Sequence, residues 1–132
     1  MRKRRWAERT CNEGLWGDPT QVLGEMGKKM PEKVARFYVG CVVLAIRHMH
    51  SKGIIYRDLK PENVVLDSMG YAKVIDLGCA KQLQAGERTF TLCGTLDYLC
   101  PEMILMQGHG AEGDLWQVRF CVYFVHLNTL WR

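Results

Sequence analysis

The 132-residue sequence predicts an α+β fold that is mainly helical and carries one small β-hairpin. Apolar residues recur at helical spacing between positions 34 and 49. Further along, two β-branched runs flank a glycine-containing turn at residues 67–70. About 48% of the residues are apolar and 24% are charged, which is typical of a folded chain. The length allows one modest domain.

Basic residues are concentrated at the amino-terminal end of the chain. The sequence has 18 Lys and Arg residues against 14 Asp and Glu residues, a net charge of +4. Residues 1–10 carry all of this excess, because the charges of the other positions cancel. Nucleic-acid-binding domains usually spread basic residues over the folded surface. We therefore interpret residues 1–20 as an unassigned, solvated basic segment and expect no nucleic-acid partner.

Neither a membrane span nor a secretory signal is predicted. The best apolar run, at residues 39–46, is far shorter than the ~20 residues that cross a bilayer. No apolar segment follows the basic first residues, as a secretory signal would require. None of the six cysteines forms a C-x-x-C pair, so zinc and thioredoxin-like sites have no support. Free thiols and a cytoplasmic location are therefore expected.

A long helix is predicted over residues 31–52. Pro31 and Glu32 suit the first turn of a helix, and Gly53 provides a stop after the last turn. A shorter helix of one or two turns is predicted at residues 21–26, before Gly27. We assign the apolar face of the long helix to the core and expect no catalytic or binding residue on it.

After the long helix the hydrophobic pattern changes to that of strands and loops. Residues 54–56 are predicted to be extended, and residues 64–66 and 72–75 form the hairpin. The polar stretch 81–95 is interpreted as a long loop. A short helix is predicted at residues 101–106. The apolar tail 118–132 matches no regular period, so no element is assigned to it.

The loop between the helix and the hairpin, residues 56–63, contains the candidate chemistry. It contains two acids, two bases and an amide within eight positions, Tyr-Arg-Asp-Leu-Lys-Pro-Glu-Asn. A hairpin returns the chain near its start, so Asp76 is expected to lie close to Asn63. Carboxylate and amide oxygens of this kind suit Mg²⁺, which one or two protein ligands usually hold together with substrate phosphates.

This loop resembles the catalytic loop of protein kinases, and two further motifs follow it in the order found in that family. Asp76-Leu77-Gly78 resembles the D-F-G motif, and Cys100-Pro101-Glu102 resembles A-P-E. Residues 91–95, Thr-Leu-Cys-Gly-Thr, resemble the cyclic-nucleotide-dependent branch of the AGC Ser/Thr kinases. Residues 51–56 are most similar to cyclic-GMP-dependent kinases. The resemblance implies a kinase-like fold in which residues 21–117 form a partial large lobe.

The resemblance also implies a role for each polar residue in the loop. Asp58 would accept a hydrogen bond from the substrate hydroxyl, and Lys60 would neutralise the transferred phosphate. Lys60, Glu62, Asn63 and Asp76 make up the implied ATP-binding set, in which Asn63 and Asp76 are the Mg²⁺ ligands. The implied partners are protein substrates with Ser or Thr near basic residues. Glu62 would face such a basic residue, or else be an ordinary surface carboxylate.

The segment that follows Asp76 is expected to regulate the site. By resemblance, Thr91 is the activation-loop phosphosite, with Arg57 and Lys81 as partners of its phosphate. Thr89 and Thr91 could instead be ordinary loop hydroxyls. The resemblance assigns Thr95 to the peptide-substrate site, near Asp58.

Several features depart from the kinase pattern. The sequence contains no G-x-G-x-x-G loop and nothing like the V-A-I-K strand. Leu77 replaces the usual Phe, and the glycine expected soon after Trp116 is missing. We therefore expect the chain by itself to be weakly active or inactive as a kinase. The alternatives are a non-catalytic kinase-like protein-binding module, or a chain with foreign residues at both ends.

Overall fold

The computed structural model describes residues 32–67 and 69–130, with side chains described up to residue 123. The basic segment 1–20 and the helix predicted at residues 21–26 lie outside this part. Within it, helices and two small antiparallel sheets form an α+β arrangement, which confirms the predicted fold class. No helix of the described part is both long and apolar enough to cross a membrane.

Helix α1 spans Glu32–Ser51 and confirms the long helix predicted over residues 31–52. Its buried side chains recur every three or four positions, at Ala35, Tyr38, Val42 and Ile46. This spacing turns one face of the helix toward the core. Gly53 then takes a φ of +70°, and a Cβ atom there would lie 2.9 Å from the Leu83 carbonyl oxygen. Both facts favour glycine as the residue that ends the helix.

The predicted hairpin consists of strands β2, Val64–Leu66, and β3, Ala72–Val74. The strands are antiparallel, and Val64 lies opposite Val74. Asp67 stabilises the turn, because its Oδ1 accepts two backbone N–H groups of the turn at 2.9 Å. The hairpin prediction is therefore confirmed.

A second sheet joins parts of the chain that are distant in sequence. Strand β1, Ile54–Ile55, pairs antiparallel with strand β4, Lys81–Gln82, and Ile54 lies opposite Gln82. The first two residues of the predicted loop 81–95 thus form a strand, so that part of the prediction is wrong. A two-residue strand has no periodicity to detect, and its partner strand determines its conformation.

The carboxyl-terminal part is helical. Short helix α2 spans Pro101–Ile104, within the predicted range, and helix α3 spans Ala111–Leu130. Helix α3 thus covers most of the tail to which the sequence assigned no element. Apolar side chains of α3 face both the core, as Val118 does, and solvent, as Tyr123 does. Because the apolar residues are not confined to one face, no helical period is visible in the sequence.

The core lies where α1 packs against strand β3 and helix α3. Its buried cluster consists of Tyr38, Val42, Ile46, Tyr56, Leu59, Val64 and Ala72. A smaller cluster forms around Leu99, Cys100 and Met103, with Trp116 packed against it. The main cluster includes two residues of the loop between β1 and β2, so the core fixes this loop in place.

Candidate active site

The segment Tyr56–Leu59 is buried and is anchored to helix α3 through its backbone. Asp114 accepts the Tyr56 N–H at 2.8 Å and the Arg57 N–H at 2.7 Å. The Nε2 atom of His50 lies 2.7 Å from the same carboxylate. Arg57 needs this support because its φ is +71°, a backbone conformation that costs energy for a residue with a side chain.

Gln117 provides a second anchor, one helical turn beyond Asp114. Its Oε1 accepts the Leu59 N–H at 2.8 Å, and its Nε2 donates to the Arg57 carbonyl oxygen at 3.1 Å. The side chain is fully buried. The sequence analysis assigned no role to Asp114 or to Gln117. Their spacing of three positions in an apolar helix is the signal that could have identified both.

Replacing Gln117 by Ala is expected to lower the free energy of unfolding by about 1–3 kcal/mol. The variant leaves the buried Leu59 N–H and the Arg57 carbonyl without their partner. Urea denaturation followed by circular dichroism measures the loss. Gln107→Ala is the matched control, because Gln107 is exposed. Equal stabilities of the two variants would contradict the role of Gln117.

The Asp58 carboxylate lies at the centre of a network of four side chains. Its Oδ1 accepts the Thr95 N–H at 3.0 Å and the Thr95 hydroxyl at 2.8 Å. Its Oδ2 accepts from Asn63 Nδ2 at 3.0 Å and lies 3.1 Å from Lys60 Nζ. Lys60 also donates to the Thr95 hydroxyl at 2.7 Å. The structure therefore brings together four residues that the sequence analysis singled out.

Gly94 allows Thr95 to approach the loop at residues 56–63 this closely. It has a φ of +106°, and a Cβ atom there would collide with the Arg57 carbonyl oxygen. Any side chain at this position would push the segment away from the loop. The backbone contact at Gly94 thus positions Thr95 against Asp58.

Asp76 lies where the hairpin returns to the loop at residues 56–63. The preceding residue, Ile75, donates its N–H to the Asn63 carbonyl at 2.9 Å and accepts the Tyr56 hydroxyl at 2.5 Å. Asp76 itself is exposed and has a φ of +59°. Its Oδ1 accepts the Gly78 N–H at 3.0 Å.

Asn63 and Asp76 carry oxygen atoms of the type that Mg²⁺ prefers. The Asn63 amide nitrogen donates to Asp58, so its oxygen is not used in those bonds. The described residues contain no group of three or more His, Cys, Asp or Glu side chains that could hold a metal by themselves. A site with two protein oxygen ligands suits Mg²⁺, which usually completes its shell with phosphates and waters.

Glu62 has a buried carboxylate oxygen, Oε2, that makes no hydrogen bond within the described residues. Burial raises the pKa of the nearby Cys121 thiol to about 11, and the charge of Glu62 adds to the effect. Burial also raises the pKa of the Tyr98 hydroxyl, and the negative charge of Glu62 acts in the same direction. A buried carboxylate oxygen without a donor favours a cationic partner.

The segment that carries Thr91 is attached to the rest of the fold at Thr89. Thr89 exchanges two backbone hydrogen bonds of 2.9 Å with His109, and its hydroxyl accepts from Lys81 Nζ at 3.1 Å. Thr91 is exposed, and its N–H donates to the Thr89 hydroxyl at 3.4 Å. Arg57 Nη1 is buried without a partner among the described residues.

The stability of this attachment is expected to depend on pH through His109. Burial lowers the pKa of His109, and the positive charge of Arg57 acts in the same direction. Below the ordinary His pKa of about 6.5 the unfolded chain binds a proton that the folded chain does not. The free energy of unfolding should therefore be lower at about pH 5.5 than at about pH 7.5.

Urea denaturation at both pH values measures this change. The His109→Gln variant should lose part of the pH dependence, whereas replacement of the exposed His48 by Gln should leave it unchanged. An unchanged pH dependence in His109→Gln would contradict the prediction.

Cys79 and Cys93 form a disulfide with a Cα–Cα distance of 6.0 Å. The expectation that all thiols are free is therefore wrong for these two. Among the described cysteines, Cys41, Cys100 and Cys121 are free. The prediction failed because the two residues are 14 positions apart and approach each other only when both ends of the segment pack near Arg57.

Comparison with known proteins matches residues 11–130 to the protein kinase domain family. A Drosophila melanogaster protein, "cGMP-dependent protein kinase, isozyme 2 forms cD5/T2", is 46% identical over 115 residues, which are 87% of this chain and 12% of that protein. Human "cGMP-dependent protein kinase 2" is 44% identical over 83% of this chain and 14% of its own length. "cGMP-dependent protein kinase" of Plasmodium berghei is 49% identical over 80% of this chain and 12% of its own length. The chain thus spans only a small part of these relatives.

Proposed function

The chain belongs to the protein kinase family, and from this premise we propose that it provides the catalytic and magnesium-binding residues of a Ser/Thr kinase. The reaction is transfer of the γ-phosphoryl group of Mg-ATP to a Ser or Thr hydroxyl of a protein substrate. The relatives named as cGMP-dependent protein kinases favour that branch of the family.

The observation that carries the proposal is the network around Asp58. The carboxylate is held by Thr95 and Asn63, so its orientation is fixed before a substrate arrives. In the proposed reaction, Asp58 accepts a hydrogen bond from the substrate hydroxyl and aims its oxygen at the γ-phosphate. Lys60, 3.1 Å from the same carboxylate, neutralises charge on the phosphate as it moves.

Asn63 and Asp76 would hold the magnesium ion, and Lys60 and Glu62 complete the proposed ATP-binding set. When bound, magnesium neutralises the phosphate oxygens and fixes their position. The support is the oxygen-donor chemistry of Asn63 and Asp76, which lie at the two ends of one hairpin.

The buried Oε2 of Glu62 supports a substrate with a basic residue near its Ser or Thr. A Lys or Arg of the peptide would supply the missing hydrogen-bond donor. Thr95, bonded to both Asp58 and Lys60, would form part of the peptide site.

Thr91 is the proposed phosphosite because its hydroxyl is exposed and basic groups lie close to its neighbour Thr89. The unpartnered Nη1 of Arg57 and the Lys81 ammonium would bind the phosphate through charge-assisted hydrogen bonds. We also propose a cytoplasmic location, the compartment in which such protein substrates and ATP meet.

A chimera tests the proposed activity, because the chain spans only 12% of the Drosophila relative. Residues 11–130 would replace the matching range of that kinase. Phosphorylation of a basic Ser peptide by Mg-ATP is then measured in the presence of cGMP. We expect transfer at a rate within about tenfold of the parent kinase. A folded chimera that transfers no phosphate would instead favour a non-catalytic protein-binding module.

A further inference from the structure

The Cys79–Cys93 disulfide lies between the two parts of the candidate site. Cys79 follows Asp76 by three positions, and Cys93 precedes Thr95 by two. Arg57 contacts one end of the bridge, Cys79, and the residue that follows the other end, Gly94. The Arg57 Nε atom donates to the Cys79 carbonyl at 2.6 Å, and Gly94 packs against the Arg57 carbonyl oxygen. The bridge therefore ties the segment that follows Asp76 to the segment that precedes Thr95.

We propose that Cys79 and Cys93 form a reversible redox site, oxidised by a peroxide and reduced by a thiol such as glutathione. In the oxidised form the bridge closes the loop that carries Thr91 and holds Thr95 against Asp58. In the reduced form the loop keeps its other contacts but loses this covalent link. The significance of the change for catalysis rests on the proposed function.

The peroxide and the reducing thiol are the two reactants that oxidation and reduction of this cysteine pair require. One thiolate attacks a peroxide oxygen, which breaks the O–O bond and gives a sulfenic acid together with water or an alcohol. The second thiol then displaces the hydroxyl as water and forms the S–S bond. Two thiols thus lose two protons and two electrons to the peroxide. Reduction begins when a glutathione thiolate attacks one sulfur of the bridge, which releases the other cysteine as a thiolate and leaves a mixed disulfide. A second glutathione thiolate attacks the glutathione sulfur of that mixed disulfide, which frees the remaining cysteine and gives oxidised glutathione.

Pairing together with partial exposure distinguishes Cys79 and Cys93 from the other described cysteines, since Cys41 and Cys121 are also partly exposed but are free. Cys79 and Cys93 are both partly exposed, whereas Cys100 is buried. Burial raises the pKa of the Cys121 thiol to about 11, so only a small fraction of Cys121 is in the reactive thiolate form at neutral pH. In a reducing compartment, those disulfides that do form are usually transient and serve catalysis or redox sensing.

Counting free thiols tests the site directly. The purified chain is treated with hydrogen peroxide, or with millimolar reduced glutathione without denaturant, and is then unfolded and alkylated. By intact-mass measurement, the peroxide-treated chain should carry two fewer alkyl groups than the glutathione-treated chain. Cys79→Ser and Cys93→Ser should each abolish this difference, and Cys41→Ser, at a free cysteine, should retain it. An equal number of labels in the two samples, or a difference that persists in Cys79→Ser, would overturn the assignment.

Resistance of the bridge to glutathione in the folded chain would also overturn the proposal, because the disulfide would then be a permanent cross-link.

Hydrogen exchange tests the structural consequence. The Thr95 N–H, which donates to Asp58, should exchange roughly tenfold faster after reduction. Cys79→Ser should exchange like the reduced chain under both conditions, and Cys41→Ser should behave like wild type. Exchange that is unchanged by reduction would overturn the proposed tether.

Neither measurement uses phosphoryl transfer. A failure of the proposed kinase activity would therefore appear in the chimera assay and leave the thiol count and the exchange rates unaffected.

Discussion

Replacing Asp58 by Asn in the chimera is expected to slow phosphoryl transfer by about 10²- to 10⁴-fold. The carboxylate is the group proposed to accept the hydrogen bond of the substrate hydroxyl, and a neutral amide is a much weaker acceptor. The amide nitrogen would also face two donors, Asn63 Nδ2 and Lys60 Nζ, which now lie within 3.1 Å of Oδ2. Its orientation should therefore be less well defined than that of the carboxylate.

Steady-state assays with peptide and Mg-ATP would separate this catalytic effect from a binding effect. We expect the loss to appear in kcat, because Asp58 acts at the moment of transfer and contributes little to ground-state binding. Glu32→Gln is the matched control, since that exposed carboxylate pairs with Arg36 on the surface of α1. A kcat for Asp58→Asn within a factor of two or so of wild type would exclude the proposed role.

Asp114→Ala is expected to cause the largest loss of stability, about 3–5 kcal/mol. The variant leaves the buried N–H groups of Tyr56 and Arg57 without an acceptor, and it removes the partner of His50. Each unsatisfied buried donor costs about 1–3 kcal/mol. Because small domains are stable by only about 5–15 kcal/mol, much of the chain should be unfolded at 37 °C.

Thermal and urea denaturation, followed by circular dichroism, measure this loss. Glu112→Ala is the control on the same helix, since Glu112 makes a half-exposed ion pair with Arg88 that should contribute at most about 1 kcal/mol. Similar stabilities for the two variants would show that Asp114 does not hold the loop at residues 56–63 in place.

The local features of this fold could be predicted because each depends on neighbouring residues. The apolar spacing of α1 gave its bounds to within one residue, 32–51 against 31–52. The turn at Asp67 stabilises the hairpin through residues close in sequence, since Oδ1 of its carboxylate accepts the N–H groups of Met69 and Tyr71. The resemblance of residues 56–63 to a catalytic loop likewise singled out Asp58, Lys60 and Asn63 before any contact was known.

Helix α3 shows why the remaining elements were missed. Its apolar residues face both the core and solvent, so the pattern that identifies an amphipathic helix is absent from residues 118–130. Strand β4 is too short for any period, and its position is determined by β1, which lies on the other side of the hairpin.

The sequence by itself determined the local elements and the identity of the polar groups around Asp58. Only the tertiary structure decided how that loop is held, because Asp114 and Gln117 contact residues that are 57–60 positions earlier in the chain. The same holds for the pairing of Cys79 with Cys93, which requires both ends of the segment to pack near Arg57. Buried backbone donors and acceptors need hydrogen-bond partners, which can come from residues distant in sequence. Such partners cannot be recognised from the local hydrophobic pattern.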